Sequence, residues 1–201
     1  MNTGVLGGTF DPIHNGHLRV AEEARARLGL TRVLFIPAGK PWLKADRQIT
    51  SAEHRVEMVR LAIAGNPYYK VSTVEVDRPG PTYSVDTLAG LREQIEPGDE
   101  LFFIVGWGNL EQLPHWRKPA ELIKHCFIAA VSRPGCSRPD LEALEKRIPG
   151  ISRRVVFVDG PEMDISASEI RDRVARGLSI QRLVPEAVEG YIKQQRLYLG
   201  E

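Results

Sequence analysis

Short apolar runs alternate with amphipathic segments along the whole chain. Val5-Leu6, the predicted strand 32–36 (apolar from Val33 on), and residues 101–105, 127–131 and 155–158 form the apolar runs. Short runs that are apolar at consecutive positions mark strands buried on both faces. Residues 69–76 alternate instead, the pattern of a further strand. The segments between repeat with helical spacing. Residues 18–28 read as a helix stopped by Gly29. Thr50-Ser51-Ala52-Glu53 reads as a capping box that opens a helix to about residue 64, with Val56, Val59 and Ile63 on one face. Gly65-Asn66-Pro67 ends it. Residues 85–95, 140–148, 168–176 and 185–194 are predicted as further helices, the last two forming a small C-terminal helical portion.

Apolar strands separated by helices predict an α/β fold, a mostly parallel sheet covered by helices on both faces. Right-handed crossovers make that layer doubly wound. Ligands in such folds bind beyond the carboxyl ends of the strands. Residues 38–49, 77–82 and 106–118 are the least regular stretches, each following a strand, and are expected to form a pocket rim.

At 201 residues the chain suits one well-cored domain spanning positions 1–201. Lys and Arg number 27 against 26 Asp and Glu, a formal net charge of +1. That balance argues against a protein that coats nucleic acid or an anionic membrane, so neither partner is expected. Cys126 and Cys136 make no disulfide framework and fit no zinc spacing. Cys126 lies in an apolar run and is expected to be a small buried hydrophobe. No charged-then-apolar leader opens the sequence and no apolar run reaches membrane-spanning length. A reducing, cytoplasmic setting is the expectation.

Chemistry concentrates first in Gly7-Gly8-Thr9-Phe10-Asp11-Pro12-Ile13-His14-Asn15-Gly16-His17. Strand-like residues run into two glycines, and His14 and His17 stand where a helix begins. Glycines let backbone approach a ligand and adopt dihedrals closed to other residues. The amides and dipole of a helix's first turn attract anions. Histidine donates hydrogen bonds to phosphate and adds positive charge when protonated. Together these features predict a phosphate site at the first strand-to-helix crossover. No Gly-Lys-Ser/Thr ending follows, so the stretch is not a Walker loop. Thr9-Phe10-Asp11-Pro12 also interrupts the spacing of the dinucleotide fingerprint.

A second phosphate element is Ile165-Ser166-Ala167-Ser168-Glu169-Ile170-Arg171. Serines at a helix start cap amides that can instead hold phosphate, and Arg171 sits near one turn on, placed to add a charged fork. His54, His115 and His125 are expected to be structural.

The first stretch resembles the signature of the nucleotidyltransferase superfamily that carries a His-x-Gly-His motif. Its longer string is similar to that of bacterial nicotinate-nucleotide adenylyltransferases. Phosphopantetheine adenylyltransferases and glycerol-phosphate cytidylyltransferases share the core motif. The second stretch resembles the superfamily's Ile-Ser-Ser/Thr-x-x-Ile/Val-Arg/Lys, with Ala167 where serine is common. Pro81-Thr82-Tyr83-Ser84-Val85-Asp86-Thr87-Leu88 looks like the nicotinate branch's pyridine-carboxylate segment, and Leu113-Pro114-His115-Trp116 like the segment whose tryptophan stacks on the pyridine ring. Pro37-Ala38-Gly39-Lys40-Pro41-Trp42-Leu43-Lys44 aligns with its Pro-x-x-x-Pro-Pro-His-Lys/Arg. Leu43 replaces the histidine there, and Gly108 stands where the family has the aspartate of Gly-x-Asp.

The resemblance implies a Rossmann-like fold and transfer of AMP from ATP to nicotinate mononucleotide in NAD biosynthesis. It implies His17 at the α-phosphate, assisted by His14 and Thr9. Gly7, Gly8, Phe10, Gly106 and Ile165 would complete the ATP site, with Ser166, Ser168 and Arg171 on the β- and γ-phosphates. Lys44, Tyr83, Ser84 and Trp116 would bind the acceptor. Mg²⁺ is expected to arrive with ATP, held by phosphates and water rather than by a protein cage. ATP and a pyridine mononucleotide are the expected partners, and a homo-oligomer stays open. Two alternatives remain at this point: the same chemistry on nicotinamide mononucleotide or phosphopantetheine, and a non-catalytic nucleotide-binding protein.

Overall fold

The computed structural model of the chain describes residues 1–40, 49–160 and 164–199. Strands β1 (Asn2–Gly8), β2 (Arg32–Pro37), β3 (Tyr69–Val71), β4 (Glu100–Gly106), β5 (Phe127–Val131) and β6 (Val155–Val158) form one sheet. Its order is β3-β2-β1-β4-β5-β6, and every ladder is parallel. Helices α1 (Asn15–Leu28), α2 (Ala52–Ile63), α3 (Ser84–Arg92), α4 (Trp107–Gln112), α5 (Pro119–His125) and α6 (Leu141–Arg147) lie between the strands, and α7 (Ala167–Ala175) and α8 (Glu186–Gln194) follow β6. The doubly wound Rossmann-like layer expected from the apolar pattern is present.

Adjacent positions on each inner strand serve opposite faces. Val5 of β1 packs with Leu88, Leu91 and Leu122 from α3 and α5. Leu6, next in sequence, packs with Ala21, Met58 and Val188 from α1, α2 and α8. Phe102 and Ile104 join the second group, Leu101, Phe103 and Val105 the first. Burial on both sides explains why these strands read as unbroken apolar runs.

Several boundaries differ from the sequence reading, among them β1, which spans Asn2–Gly8, and α3, which ends at Arg92. Strand β3 is three residues long rather than extending through 76, because it sits at the sheet edge and pairs only with β2. Beyond it Asp77 N–H donates to Thr73 O (2.8 Å) and curls the chain. Helix α1 starts at Asn15 rather than 18, with His14 as its N-cap, a residue type that gives no start signal. The capping box at 50–53 does not form: Ser51 is the N-cap and its side chain makes no cap bond. Residues 106–118 hold α4 and a 3₁₀ turn (Leu113–His115) instead of loop, elements too short to show a period.

Candidate active site

Beyond the carboxyl ends of β1 and β4 lies a cleft of about 580 Å³. These neighbouring strands flank the point where the strand order reverses, the usual ligand position in such sheets. Gly7, Gly8, Thr9, Phe10, His14, His17, Gly106, Ile165, Ser166, Ser168, Arg171, Tyr83, Ser84 and Trp116 all line it. Lys44, with its neighbours Trp42 and Leu43, falls outside the described residues.

The loop after β1 is folded around Phe10. Neither Gly7 nor Gly8 has a positive φ; Phe10 does, at 51°. The dihedral freedom expected of the glycines is therefore not what the loop uses. A Cβ on Gly8 would come within 3.0 Å of the Phe10 ring, so Gly8 makes room for it. That ring is buried and meets His17 edge-on, centroids 5.1 Å apart. A left-handed phenylalanine costs on the order of 1 kcal/mol, which its burial offsets.

His14 and His17 stack with ring centroids 3.7 Å apart. His14 N–H donates to His17 Nδ1 (3.2 Å). In the neutral ring this leaves the proton on Nε2, a donor suited to phosphate oxygen. Gly16 admits the partner ring: a Cβ there would lie 3.0 Å from His14 Nδ1. That Nδ1 is buried with no hydrogen-bond partner among the described residues. Burial, then the charge of Arg133, pulls the His14 imidazole down to about 4. His14 therefore enters the site as a neutral donor, and the protonated alternative does not apply to it near pH 7.

The start of α1 offers fewer amides than an isolated helix end. Asn15 N–H donates to Leu183 O (2.9 Å) and His17 N–H to His14 O (2.9 Å). Weight at this end thus falls on the histidine side chains. Asp11 orients the loop from beneath: its carboxylate accepts from Tyr198 Oη (2.7 Å) and from Thr50 N–H (3.4 Å). Its carbonyl accepts from Arg171 Nη1 (2.6 Å), which ties the second motif to the first. Ser166 is the N-cap of α7, its Oγ accepting from Glu169 N–H (3.2 Å). Arg171 Nη2 also reaches Ser168 Oγ (3.4 Å).

The opposite wall is built from side chains. Tyr83 is the N-cap of α3, and Ser84 is the helix's first residue rather than its cap. The Arg117 guanidinium lies 4.5 Å over the Tyr83 ring. Trp116 is half-buried and stands edge-on to Phe103, centroids 6.1 Å apart. Gly108 lies on α4, where an added Cβ would meet only open space, and the neighbouring Asn109 faces the cleft.

Arg117, Arg133, Ser132 and Glu75 line the cleft and were not singled out from the sequence. Ser132 and Arg133 directly follow β5, so the rule that ligands sit beyond strand ends carried the signal. His54, His115 and His125 lie outside the lining; His54 Nδ1 pairs with Tyr191 Oη (2.8 Å) and His115 Nε2 with Arg147 Nη2 (3.2 Å). Cys126 is buried, as expected. Among the described residues no helix is long and apolar enough to cross a membrane.

Residues 5–173 match the model of the cytidylyltransferase-like family. A "Probable nicotinate-nucleotide adenylyltransferase" of Dehalococcoides mccartyi is 48% identical over 198 residues, covering 98% of this chain and 97% of its own. One of Roseiflexus sp. with the same name is 46% identical over 195 residues, covering 97% and 96%. Among solved structures, the Plasmodium falciparum nicotinic acid mononucleotide adenylyltransferase complexed with NaAD superposes with a TM-score of 0.79 at 19% identity, over 98% of this chain and 97% of that one. The same enzyme complexed with APC superposes equally well.

Proposed function

The chain belongs to the cytidylyltransferase-like family and, within it, to the nicotinate-nucleotide adenylyltransferases; from that premise we propose that AMP passes from ATP to nicotinate mononucleotide in the cleft between the two motifs. The enzyme is a nucleotidyltransferase of NAD biosynthesis, and its products are the deamido dinucleotide and pyrophosphate. One observation supports this reading: both motifs and the acceptor stretches around Tyr83 and Trp116 open onto one cleft at the carboxyl ends of β1 and β4. Residues 1–201 would act together as a single nucleotidyltransferase domain, in the cytoplasm.

A phosphate oxygen of the acceptor attacks the α-phosphorus of ATP. The bond to the bridging oxygen breaks, and pyrophosphate leaves with that electron pair. The acceptor phosphate is already largely ionised near pH 7, so no general base is needed. Catalysis then rests on in-line alignment and on stabilising charge at the α-phosphate. His17 Nε2–H donates to that phosphate, with neutral His14 and Thr9 beside it. Ser166, Ser168 and Arg171 hold the leaving pyrophosphate at the start of α7, and Arg133 adds charge from the end of β5. Gly7, Gly8, Phe10, Gly106 and Ile165 shape the nucleotide's bed. Mg²⁺ enters with ATP as part of the substrate, coordinated by phosphates and water. The Asp11 carboxylate, engaged by Tyr198 and Thr50, suits the role of orienting the loop.

At the acceptor end Trp116 stacks on the pyridine ring, while the first amides of α3 at Ser84 receive its carboxylate. Tyr83 forms the adjoining wall, carrying Arg117 over its ring. Lys44 meets the acceptor phosphate. The test is pyrophosphate release with ATP and a panel of acceptors. Nicotinate mononucleotide is to support it and phosphopantetheine is not; release with no acceptor preference would overturn the reading.

A further inference from the structure

Arg55 is the largest fully buried side chain in the molecule's described part, 2% exposed, in the first turn of α2. It does not line the cleft. Four of its hydrogen bonds go to backbone carbonyls: Nε to Thr50 O (2.8 Å), Nη1 to Thr9 O (2.9 Å) and Ala38 O (2.8 Å), and Nη2 to Gly39 O (3.3 Å). A guanidinium buried this deeply normally meets a carboxylate. Here the adjacent acid, Asp11, has its carboxylate taken by Tyr198 and Thr50.

The four carbonyls come from the loop after β1 and from the two ends of the segment joining β2 to α2. Thr9 follows the two glycines of the nucleotide loop. Ala38 and Gly39 follow β2, and Thr50 precedes α2. Gly39 is pressed against the stretch that leads to the acceptor wall. A Cβ on it would lie 2.1 Å from Glu75 O and 3.1 Å from Thr82 Cγ2. Glu75 in turn accepts from Thr87 Oγ1 of α3 (2.8 Å). One planar side chain therefore joins the nucleotide loop to the wall that carries Tyr83 and Ser84. Lysine offers the charge without the fork: a compact ammonium cannot span carbonyls set so far apart in one plane.

We propose that Arg55 is a positioning residue that fixes the nucleotide loop relative to the acceptor wall, and so sets the in-line geometry between the two substrates. The inference rests on the adenylyltransferase reading. Each substrate touches mainly one of the two joined parts, so each binds nearly as well when the joint loosens. Alignment between them is what fails, and a misplacement of about 1 Å can cost about 100-fold in rate.

The experiment compares wild type with Arg55→Lys at a temperature where both are folded by circular dichroism. ATP affinity is measured alone, and kcat and KM with nicotinate mononucleotide are expressed per folded enzyme. The expected result is a fall in kcat of at least about tenfold, with ATP Kd and acceptor KM moved less than about threefold. Guanidinium ion added to Arg55→Ala at sub-denaturing concentration is to restore part of that kcat. An unchanged kcat per folded enzyme overturns the proposal and leaves Arg55 a stabilising residue only. So does a loss confined to Kd or KM. Should Arg55→Lys yield too little folded protein, Gly39→Ala strains the same joint from the acceptor side and must show the same split. Wild type that releases no pyrophosphate with nicotinate mononucleotide sinks the functional reading; active wild type with kcat-neutral variants sinks only this inference.

Discussion

The two ends of the cleft are built differently. At the nucleotide end, β1 runs from the sheet interior straight into a loop held on a buried Phe10, a buried Asp11 and two stacked imidazoles. At the acceptor end, Tyr83 and Trp116 are half-buried and Arg117 is exposed, each packed on another side chain. Backbone course and buried groups fix the first; the second rests on half-buried aromatics, Tyr83 against Arg117 and Trp116 against the buried Phe103. A site of the first kind tolerates little change and, under the proposed function, would handle the phosphates. One of the second kind can be rebuilt residue by residue to suit a new acceptor.

The largest expected effect lies at the rigid end. His17→Ala is to lower kcat about 100- to 1,000-fold, roughly 3–4 kcal/mol, the usual cost of losing one preorganised donor to developing charge. ATP binding, measured separately, is to change far less. Turnover within about tenfold of wild type would remove His17 from the chemistry and erase the contrast between the two ends.

The same end carries a pH signature. The folded protein holds His14 at about 4, below its ordinary 6.5. Between those values the unfolded chain binds the proton and the folded one does not. This contribution to stability is therefore complete above pH 6.5 and is lost as pH falls toward 4. Its full size is on the order of 3 kcal/mol. Denaturant midpoints of the ligand-free enzyme are to fall between pH 7 and pH 5 for wild type. The slope is to be shallower for His14→Asn. Parallel slopes would mean that another group governs the loss.

For the softer end, Trp116→Ala is to raise acceptor KM about tenfold, near 1.4 kcal/mol, with ATP affinity little moved. Equal losses for both substrates would show that Trp116 supports the whole cleft through Phe103 rather than stacking on a pyridine.

The contrast also governs what could be read from the chain. The doubly wound parallel layer and the position of the cleft followed from five strand-like runs and the two glycines, because buried strands leave an unbroken signal, whereas the strand order came only from the structure. His14 and His17 stood out because the residues around them are constrained one after another along the chain. Tyr83, Ser84 and Trp116 emerged only through resemblance: the first two open α3, the third follows a 3₁₀ turn, and nothing local marks an aromatic residue there as a wall. Arg55 was invisible for a related reason. An arginine in the first turn of a helix reads as solvated charge, and its burial depends on two carbonyl-bearing stretches, at Thr9 and at Ala38 and Gly39, arriving from elsewhere in the fold. The expected freedom of Gly7 and Gly8 misplaced the unusual dihedral by two residues, since a sequence shows that a turn needs a left-handed position but not that Phe10 will take it.

The smallest predicted effect tests whether the acceptor end chooses by charge. Arg117 brings a guanidinium to 4.5 Å above Tyr83, next to the first residue of α3. Nicotinate carries a carboxylate where nicotinamide carries a neutral amide, so this charge favours the first. Arg117 is exposed and solvent screens it. Arg117→Ala is therefore to lower the ratio of kcat/KM for nicotinate over nicotinamide mononucleotide only about threefold, some 0.6 kcal/mol. Arg117→Glu is to lower it further, and added salt is to shrink the differences among all three proteins. Trp116→Ala, by contrast, is to weaken both acceptors together, since stacking does not sense the substituent's charge. If Arg117→Glu leaves the ratio unchanged at low salt, selection rests on the backbone amides of α3 alone, and the acceptor end is more like the nucleotide end than its exposed side chains suggest.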